Sequence, residues 1–382
     1  MKAWPKVALG DLISRADETA VLDPLEQYHE VTIRLWGKGV LSRGKVLGSD
    51  VVSVRRVVRE NQLILSKIDA RNGAIGLVPP ELDGAIVSND FPSFSFNDPE
   101  QCDPAFMGWL VRSTPFVDLC KAASEGTTNR VRIKEDRFLG QQIALPPLSE
   151  QQRIVARLDA LAEKSRQLEA HLDAVERDAE HLLALRFRDA IANAPVRPMA
   201  EVAPLVRRDV SIAPEVMYTE LGVRSFYKGT FQRRTVPGSD FSWQALYQIQ
   251  TGDLIFSNIM AWEQAIAIAK SEDDGCVGNH RMLACEANPD CSVPGFLWYY
   301  FTTSDGFEKI YAASPGTAAR NRTMTAPALM AIEVPTPSLV TQQTFDRLQA
   351  DIAALKAKHT AIRAANAALL PATLERVFSE PV

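Results

Sequence analysis

The chain has 382 residues, with 42 Lys plus Arg against 47 Asp plus Glu, a formal charge of −5, and 46% hydrophobic and 23% charged residues. These proportions exclude a disordered or fibrous protein, and at roughly 100–200 residues per domain the length predicts two or three globular domains. No run approaches the ~18 apolar residues of a membrane span, and the start Met1-Lys2-Ala3-Trp4-Pro5-Lys6 lacks the apolar core of a signal peptide, so a cytoplasmic chain without membrane partners is expected.

Residues 1–148 are rich in Gly, Pro and aromatics, with short apolar runs such as Leu63 to Ile68 that predict strands bounded by turns. From Val31 to Ser49 the only charged residues are basic: Arg34, Lys38, Arg43 and Lys45, interleaved with Trp36 and glycines. That composition fits a loop approaching a phosphate backbone, where cations neutralise charge and glycine permits close contact; the plainer alternative is a solvated turn and strand. Further on, Arg130 and Arg132 in Gly126-Thr-Thr-Asn-Arg-Val-Arg132 have guanidiniums able to fork onto phosphate or guanine, or to pair with Glu135 and Asp136.

Residues 149–192 are nearly free of glycine and dense in Ala, Leu, Glu, Arg and Gln, which predicts a long helix. Ser149 is placed to cap it, with Gln152 at the capping-box position. Apolar residues step by four and three through Ile154, Leu158, Leu161, Leu168, Leu172, Val175 and Leu182, a coiled-coil stripe. At about 1.5 Å per residue such a helix spans roughly 65 Å.

The remainder repeats what came before. At an offset of 190, Arg34 to Asp50 and Arg224 to Asp240 share eight of 17 positions, against about one by chance. Leu254 to Ile259 then answers Leu63 to Ile68, Ala312 to Thr317 answers Ala122 to Thr127, and Gln342-Gln343 answers Gln151-Gln152. The second copy of the basic stretch carries Arg224, Lys228, Arg233 and Arg234, again with no acid between Leu221 and Ser239, and with Phe226, Tyr227 and Phe231 interleaved. Arg320 and Arg322 stand opposite Arg130 and Arg132. Residues 193–337 thus form a second globular domain, and 338–382 a second long helix with Phe345, Leu348, Ile352, Leu355, Ile362 and Leu369 on its stripe and Pro371 expected to kink or end it. Two stripes alternating with two domains bury each other most simply antiparallel. His359 and Asn366 lie on the stripe, where polar residues fix register.

No catalytic constellation is evident. Neither Pro-Pro pair, at 79–80 and 146–147, follows an Asn or Asp as an adenine methyltransferase motif requires, and no Gly-rich phosphate loop occurs. Cys276, His280, Cys285 and Cys291 lack the paired spacing of zinc ligands, so no metal is expected. With Cys102 and Cys120, the five cysteines read as reduced thiols rather than a disulfide framework.

The predicted fold class is therefore α/β (α+β): two tandem globular domains, 1–148 and 193–337, separated by long helices at 149–192 and 338–382 that form an antiparallel coiled coil with a pseudo-twofold repeat. Two related domains at a fixed separation suit a ligand with two sites at a fixed separation, and double-stranded DNA is the commonest. No segment is strongly basic, so DNA contact is expected to be local and completed by partner chains.

The run Ile143-Ala-Leu-Pro-Pro-Leu-Ser-Glu-Gln-Gln-Arg-Ile-Val-Ala-Arg-Leu-Asp159, leading into the first helix, resembles the conserved-region entry of type I restriction-modification specificity subunits, and Leu370-Pro-Ala-Thr-Leu-Glu-Arg-Val-Phe378 resembles the end of their second conserved helix. The resemblance implies a non-catalytic subunit in which each globular domain is a target-recognition domain for half of a split DNA sequence. It implies that the helices set the spacer and dock two methyltransferase subunits, which a restriction and translocase subunit can join. S-adenosylmethionine, ATP and Mg would then belong to partner subunits, with no cofactor in this chain. The second helix departs from the pattern, since Pro335-Thr-Pro-Ser-Leu-Val-Thr-Gln-Gln343 lacks the Glu before the Gln pair and the Arg after it. The alternative from another class is a scaffold whose twin domains bind protein partners.

Overall fold

The computed structural model describes residues 4–126, 131–241, 245–316 and 322–379. The chain divides into two compact units: Met1–Leu172 with Thr360–Val382, and Asp173–His359. The fold is mixed α/β, with two long helices, Leu148–Ile191 and Leu339–Phe378.

In the first unit, short strands build two four-stranded sheets. One orders Val40–Leu47, Gln27–Ile33, Ile86–Val87 and Arg56–Val57; the other orders Ile13–Ala16, Ser93–Phe96, Leu63–Leu65 and Ile75–Leu77. The run Leu63-Ile-Leu65 shows why so short a strand suffices. Alternation sends Leu63 and Leu65 into the cluster of Phe94, Phe106, Phe116 and Phe138, and Ile64 into that of Val31, Val40, Val58 and Leu82. Lys6–Ala8 pairs antiparallel with Gln142–Ala144 and closes the domain just ahead of the first long helix. Ile154 and Leu158 from that helix, with Leu374 and Phe378 from the second, complete the first cluster.

The second unit repeats this plan. Its sheets order Thr230–Pro237, Met217–Val223, Val277–Gly278, Tyr247–Gln248 and Leu205–Val206, Met282–Cys285, Leu254–Ser257, Ile266–Ile268. Leu254 and Phe256 face one cluster and Ile255 the other. Phe187 and Phe345, from the long helices, join the Leu254 cluster. Ring centroids of Phe187 and Phe345 lie 5.2 Å apart.

Within each unit the helix segments run antiparallel. In the first, the Asn366 amide donates to the Ser165 carbonyl (3.2 Å) and the Glu169 carboxylate (2.7 Å), which also accepts from Arg363 (2.6 Å). In the second, Lys356 pairs with Glu180 (2.6 Å) and His359 Nδ1 meets Glu176 (2.8 Å).

Several expectations require correction. The helices are not blocks of their own: each unit takes part of both, because the helix ends supply its core with aromatic and aliphatic side chains. The first helix starts at Leu148, so Ser149 stands inside its first turn rather than capping it. Pro371 does not end the second helix, which continues to Phe378. Burial of Leu374 and Phe378 holds that last stretch, and Thr373 Oγ1 donates to the Leu369 carbonyl (2.8 Å). Of the stripe, Ile154, Leu158, Leu172, Phe345 and Ile352 are buried and Leu161, Leu168, Val175, Leu348 and Leu355 half-buried, but Leu182, Ile362 and Leu369 are exposed. A straight helix turns its buried face by about 20° per heptad, so Phe187, not Leu182, reaches the core.

Candidate nucleic-acid interface

Each unit projects one long hairpin. Gln27–Ile33 pairs with Val40–Leu47, and Met217–Val223 with Thr230–Pro237, and the second strand of each lies at the edge of its sheet. The six-residue tips are closed alike: the Arg34 N–H donates to the Gly39 carbonyl and the Arg224 N–H to that of Gly229, both at 2.9 Å.

Two irregularities recur. At the tip, Trp36 has φ 60° and Phe226 φ 61°, left-handed backbone that bulky residues rarely adopt. Such a conformation costs on the order of 1–3 kcal/mol and persists only when its surroundings impose it. Here they do: Trp36 and Gly37 donate their N–H groups to the carbonyls of Asn72 and Gly73 (both 3.0 Å), and Phe226 and Tyr227 to those of Glu263 and Gln264 (3.0 and 2.9 Å). Neither strained side chain is used in the core, since Trp36 is 70% and Phe226 63% exposed. Further along, Glu30 faces Gly44 while Val31 faces Ser42, so Arg43 is the extra residue of a β-bulge; Glu220 faces Arg234 and Leu221 faces Gln232, so Arg233 is its counterpart. A bulge re-aims the side chain it carries, and in both units that side chain is a guanidinium.

The two sets of cations differ in freedom. Arg34, Lys38, Arg43 and Lys45 are exposed and make no ion pair among the described residues, Glu30 being taken by Arg55 (3.1 Å). In the second hairpin the buried Glu220 holds Arg233 (3.3 Å) and Arg234 (2.9 Å). Arg224 donates to the Thr230 carbonyl (2.7 Å) and lies over the Phe231 ring, while Lys228 lies over Phe226. The stretch free of acid in sequence is therefore not free of acid in space: Glu220 stands one residue outside it on the pairing strand.

A polar cleft of about 490 Å³ in the second unit is lined by Arg224, Thr230, Phe231, Gln232, Lys270, Glu272 and Asp273. Its floor is the buried Asp273 carboxylate, which accepts from Thr230 Oγ1 (2.6 Å) and the Lys270 N–H (2.9 Å). In the first unit the matching places on strand and 3-10 turn are Val40 and Leu82, buried together in an apolar cluster. The hairpins share a frame and differ beside it.

Arg132 pairs with Asp90 (2.7 Å) rather than with Glu135 or Asp136; Glu135 is held by Lys67 (2.8 Å) and Arg15 (3.5 Å). Arg322 donates to the Ser314 carbonyl (3.1 Å) and stacks over Tyr311. Arg130 and Arg320 lie outside the described residues. Among the described residues no group of three His, Cys, Asp or Glu is placed to hold a metal ion. Burial pushes the thiols of Cys102, Cys120 and Cys285 up to about 12, and that of Cys276 upward.

Two residues whose roles the sequence left open couple hairpin-bearing domain to helix. Gln151 is fully buried; its Oε1 accepts from the Asp103 N–H (2.8 Å) and its Nε2 donates to the carbonyls of Gln101 and Pro146 (both 2.9 Å). Gln342 repeats this with Val293 N–H (2.9 Å) and the carbonyls of Cys291 (2.9 Å) and Pro337 (2.8 Å). The repeated Gln pair was the sequence signal, and its first member is the structural one. Because Gln342 makes the same three bonds, the second helix keeps this joint despite lacking the Glu and Arg that flank the first Gln pair.

Residues 1–177 match the family model described as the type I restriction modification DNA specificity domain. The second unit is tied to that match by the internal repeat and by its identical strand order. Among solved structures, the HsdS subunit from Thermoanaerobacter tengcongensis is 21% identical, with a TM-score of 0.66 over 98% of this chain and 96% of that one. A chain solved for the complex assembly and conformational transition of the type I R-M system is 22% identical, with a TM-score of 0.66 over 99% of this chain and 98% of that one. At these identities the likeness is one of fold. No curated protein matches the chain.

Proposed function

We propose that this chain, whose residues 1–177 match the model of the type I restriction modification DNA specificity domain, reads a split sequence on duplex DNA, one half-site with each unit. The observation that carries this reading is the doubled hairpin: a rigid tip and a bulged arginine, built twice on one frame and bordered by cations. Arg34, Lys38, Arg43 and Lys45 would neutralise phosphates in the first half-site, and Arg224, Lys228, Arg233 and Arg234 in the second. Trp36, Phe226, Arg132 and Arg322 complete the candidate contacts within the described residues. The exposed side chains of the two hairpins differ, with Trp36 and Lys45 standing where the second unit has Phe226 and Thr235, which supports unlike half-sites, since unlike exposed side chains would meet different base edges.

In this reading the chain supplies recognition and the chemistry lies elsewhere. Its long helices would set the spacer and dock two methyltransferase subunits, with S-adenosylmethionine, ATP and Mg held by those and by an associated restriction subunit. With a net charge of −5 the chain alone binds DNA weakly, and partners supply the remaining positive surface. Binding of random-sequence and genomic duplexes by the assembled complex across a salt series tests this. Contact with several phosphates gives log K falling steeply with log salt. Binding that is absent, or flat in salt, contradicts it and favours a protein scaffold.

A further inference from the structure

We propose that the exposed rings of Trp36 and Phe226 are wedges that enter the base stack of bound duplex DNA, each unstacking one base-pair step in its own half-site; this rests on the reading of both units as DNA readers. Both rings sit at a hairpin tip, on left-handed backbone where glycine would be accommodated without strain. Both are mostly exposed, so neither strain is accounted for by packing. The residue changes from Trp to Phe between the units, yet a flat aromatic ring is kept.

The tips are also rigid. Each is tied by two backbone hydrogen bonds to a 3-10 turn, Ala70–Asn72 or Ala261–Glu263, and the residue after the ring is fixed in turn. In the first unit the Arg112 side chain fills the space beside Gly37, within 2.9 Å of where a Cβ would stand. In the second, Tyr227 donates its hydroxyl to the Phe301 carbonyl (2.7 Å) and packs edge-on to Trp298. A ring held outward on a rigid support enters a stack without the ordering penalty a mobile loop would bring.

Charge decides the occupant. In sequence Trp36 lies two residues from each of the exposed Arg34 and Lys38, with Arg43 and Lys45 on the following strand, and Lys228 Nζ lies 5.7 Å from the Phe226 ring centre. A ring rimmed by cations suits a polyanion whose apolar interior is reached between phosphates, and apolar side chains inserted between base steps kink duplexes in this way. A protein groove would instead ask for an apolar surround.

The full chain, assembled with its methyltransferase subunits, is used to select duplexes from a random pool, and 2-aminopurine then replaces each purine of the selected duplex in turn. Wild type is expected to raise the fluorescence severalfold at one step in each half-site. Trp36→Gly keeps the left-handed backbone and removes the ring; it should melt like wild type, bind the duplex more weakly, and, at complex concentrations that saturate the duplex, lose the rise in one half-site only. Phe226→Gly should lose it in the other, and Trp36→Tyr should restore it. A selected duplex whose signal stays flat on binding, or whose rise survives both glycine variants, overturns the wedge and leaves the DNA reading standing. A pool from which nothing is enriched overturns both.

Discussion

Glu220 decides how much of the second hairpin's positive charge can reach a ligand. Its carboxylate is buried and holds two guanidiniums, whereas the matching Glu30 is occupied by Arg55 and leaves Arg43 and Lys45 without an ion pair among the described residues. Replacing Arg43 by Ala should therefore weaken DNA binding and lower the salt slope by about one unit, as expected for one lost phosphate contact. Glu220→Gln should do the reverse, strengthening non-specific binding by releasing Arg233 and Arg234, with both variants read by the same salt titration. At the joint to the helices, Gln151→Ala or Gln342→Ala strands buried partners and should destabilise its own unit by about 1–3 kcal/mol, measured by denaturant unfolding. The thiols offer an independent check on packing. Only the thiolate reacts, so Cys102, Cys120 and Cys285, at about 12, should resist alkylation at pH 8, whereas half-buried Cys291 labels first.

At the scale of elements, the sequence was legible wherever a pattern was local. The long helices, the short strands at Leu63 and Leu254, and the basic tips were all visible because periodicity and composition act over neighbouring residues. Partners across a strand pair were not: Glu220 lies outside the acid-free stretch, and only the register brings it opposite Arg234. Nor was helix phase, since a strict heptad count drifts from 3.6 residues per turn and puts Leu182 where the fold buries Phe187. That difference is measurable. Phe187→Ala should destabilise by about 3–5 kcal/mol, as core aromatics do, while Leu182→Ala should stay within about 0.5 kcal/mol. The polar pairs between helices, His359 with Glu176 and Asn366 with Glu169, set register in this account. Leucine at both His359 and Asn366 should let the helices slip, seen as a changed spacer in the bound sequence; an unchanged spacer removes that role.

For the whole molecule, the doubling of one plan is the central fact: eight of its 42 basic residues stand on two matched hairpins, the local positive charge that the proposed reading of a polyanion requires of a chain of net charge −5. Inserting a whole heptad in each long helix, at matched positions, should lengthen the spacer and leave the half-sites intact. The most direct test of bipartite reading is methylation-sensitive sequencing of the genome of cells that carry this chain with its methyltransferase partner. The account predicts one methylated motif made of two unlike half-sites at a fixed spacing, with exchange of residues 193–337 for another recognition domain altering one half-site alone. A single contiguous motif, or a motif indifferent to that exchange, would contradict it.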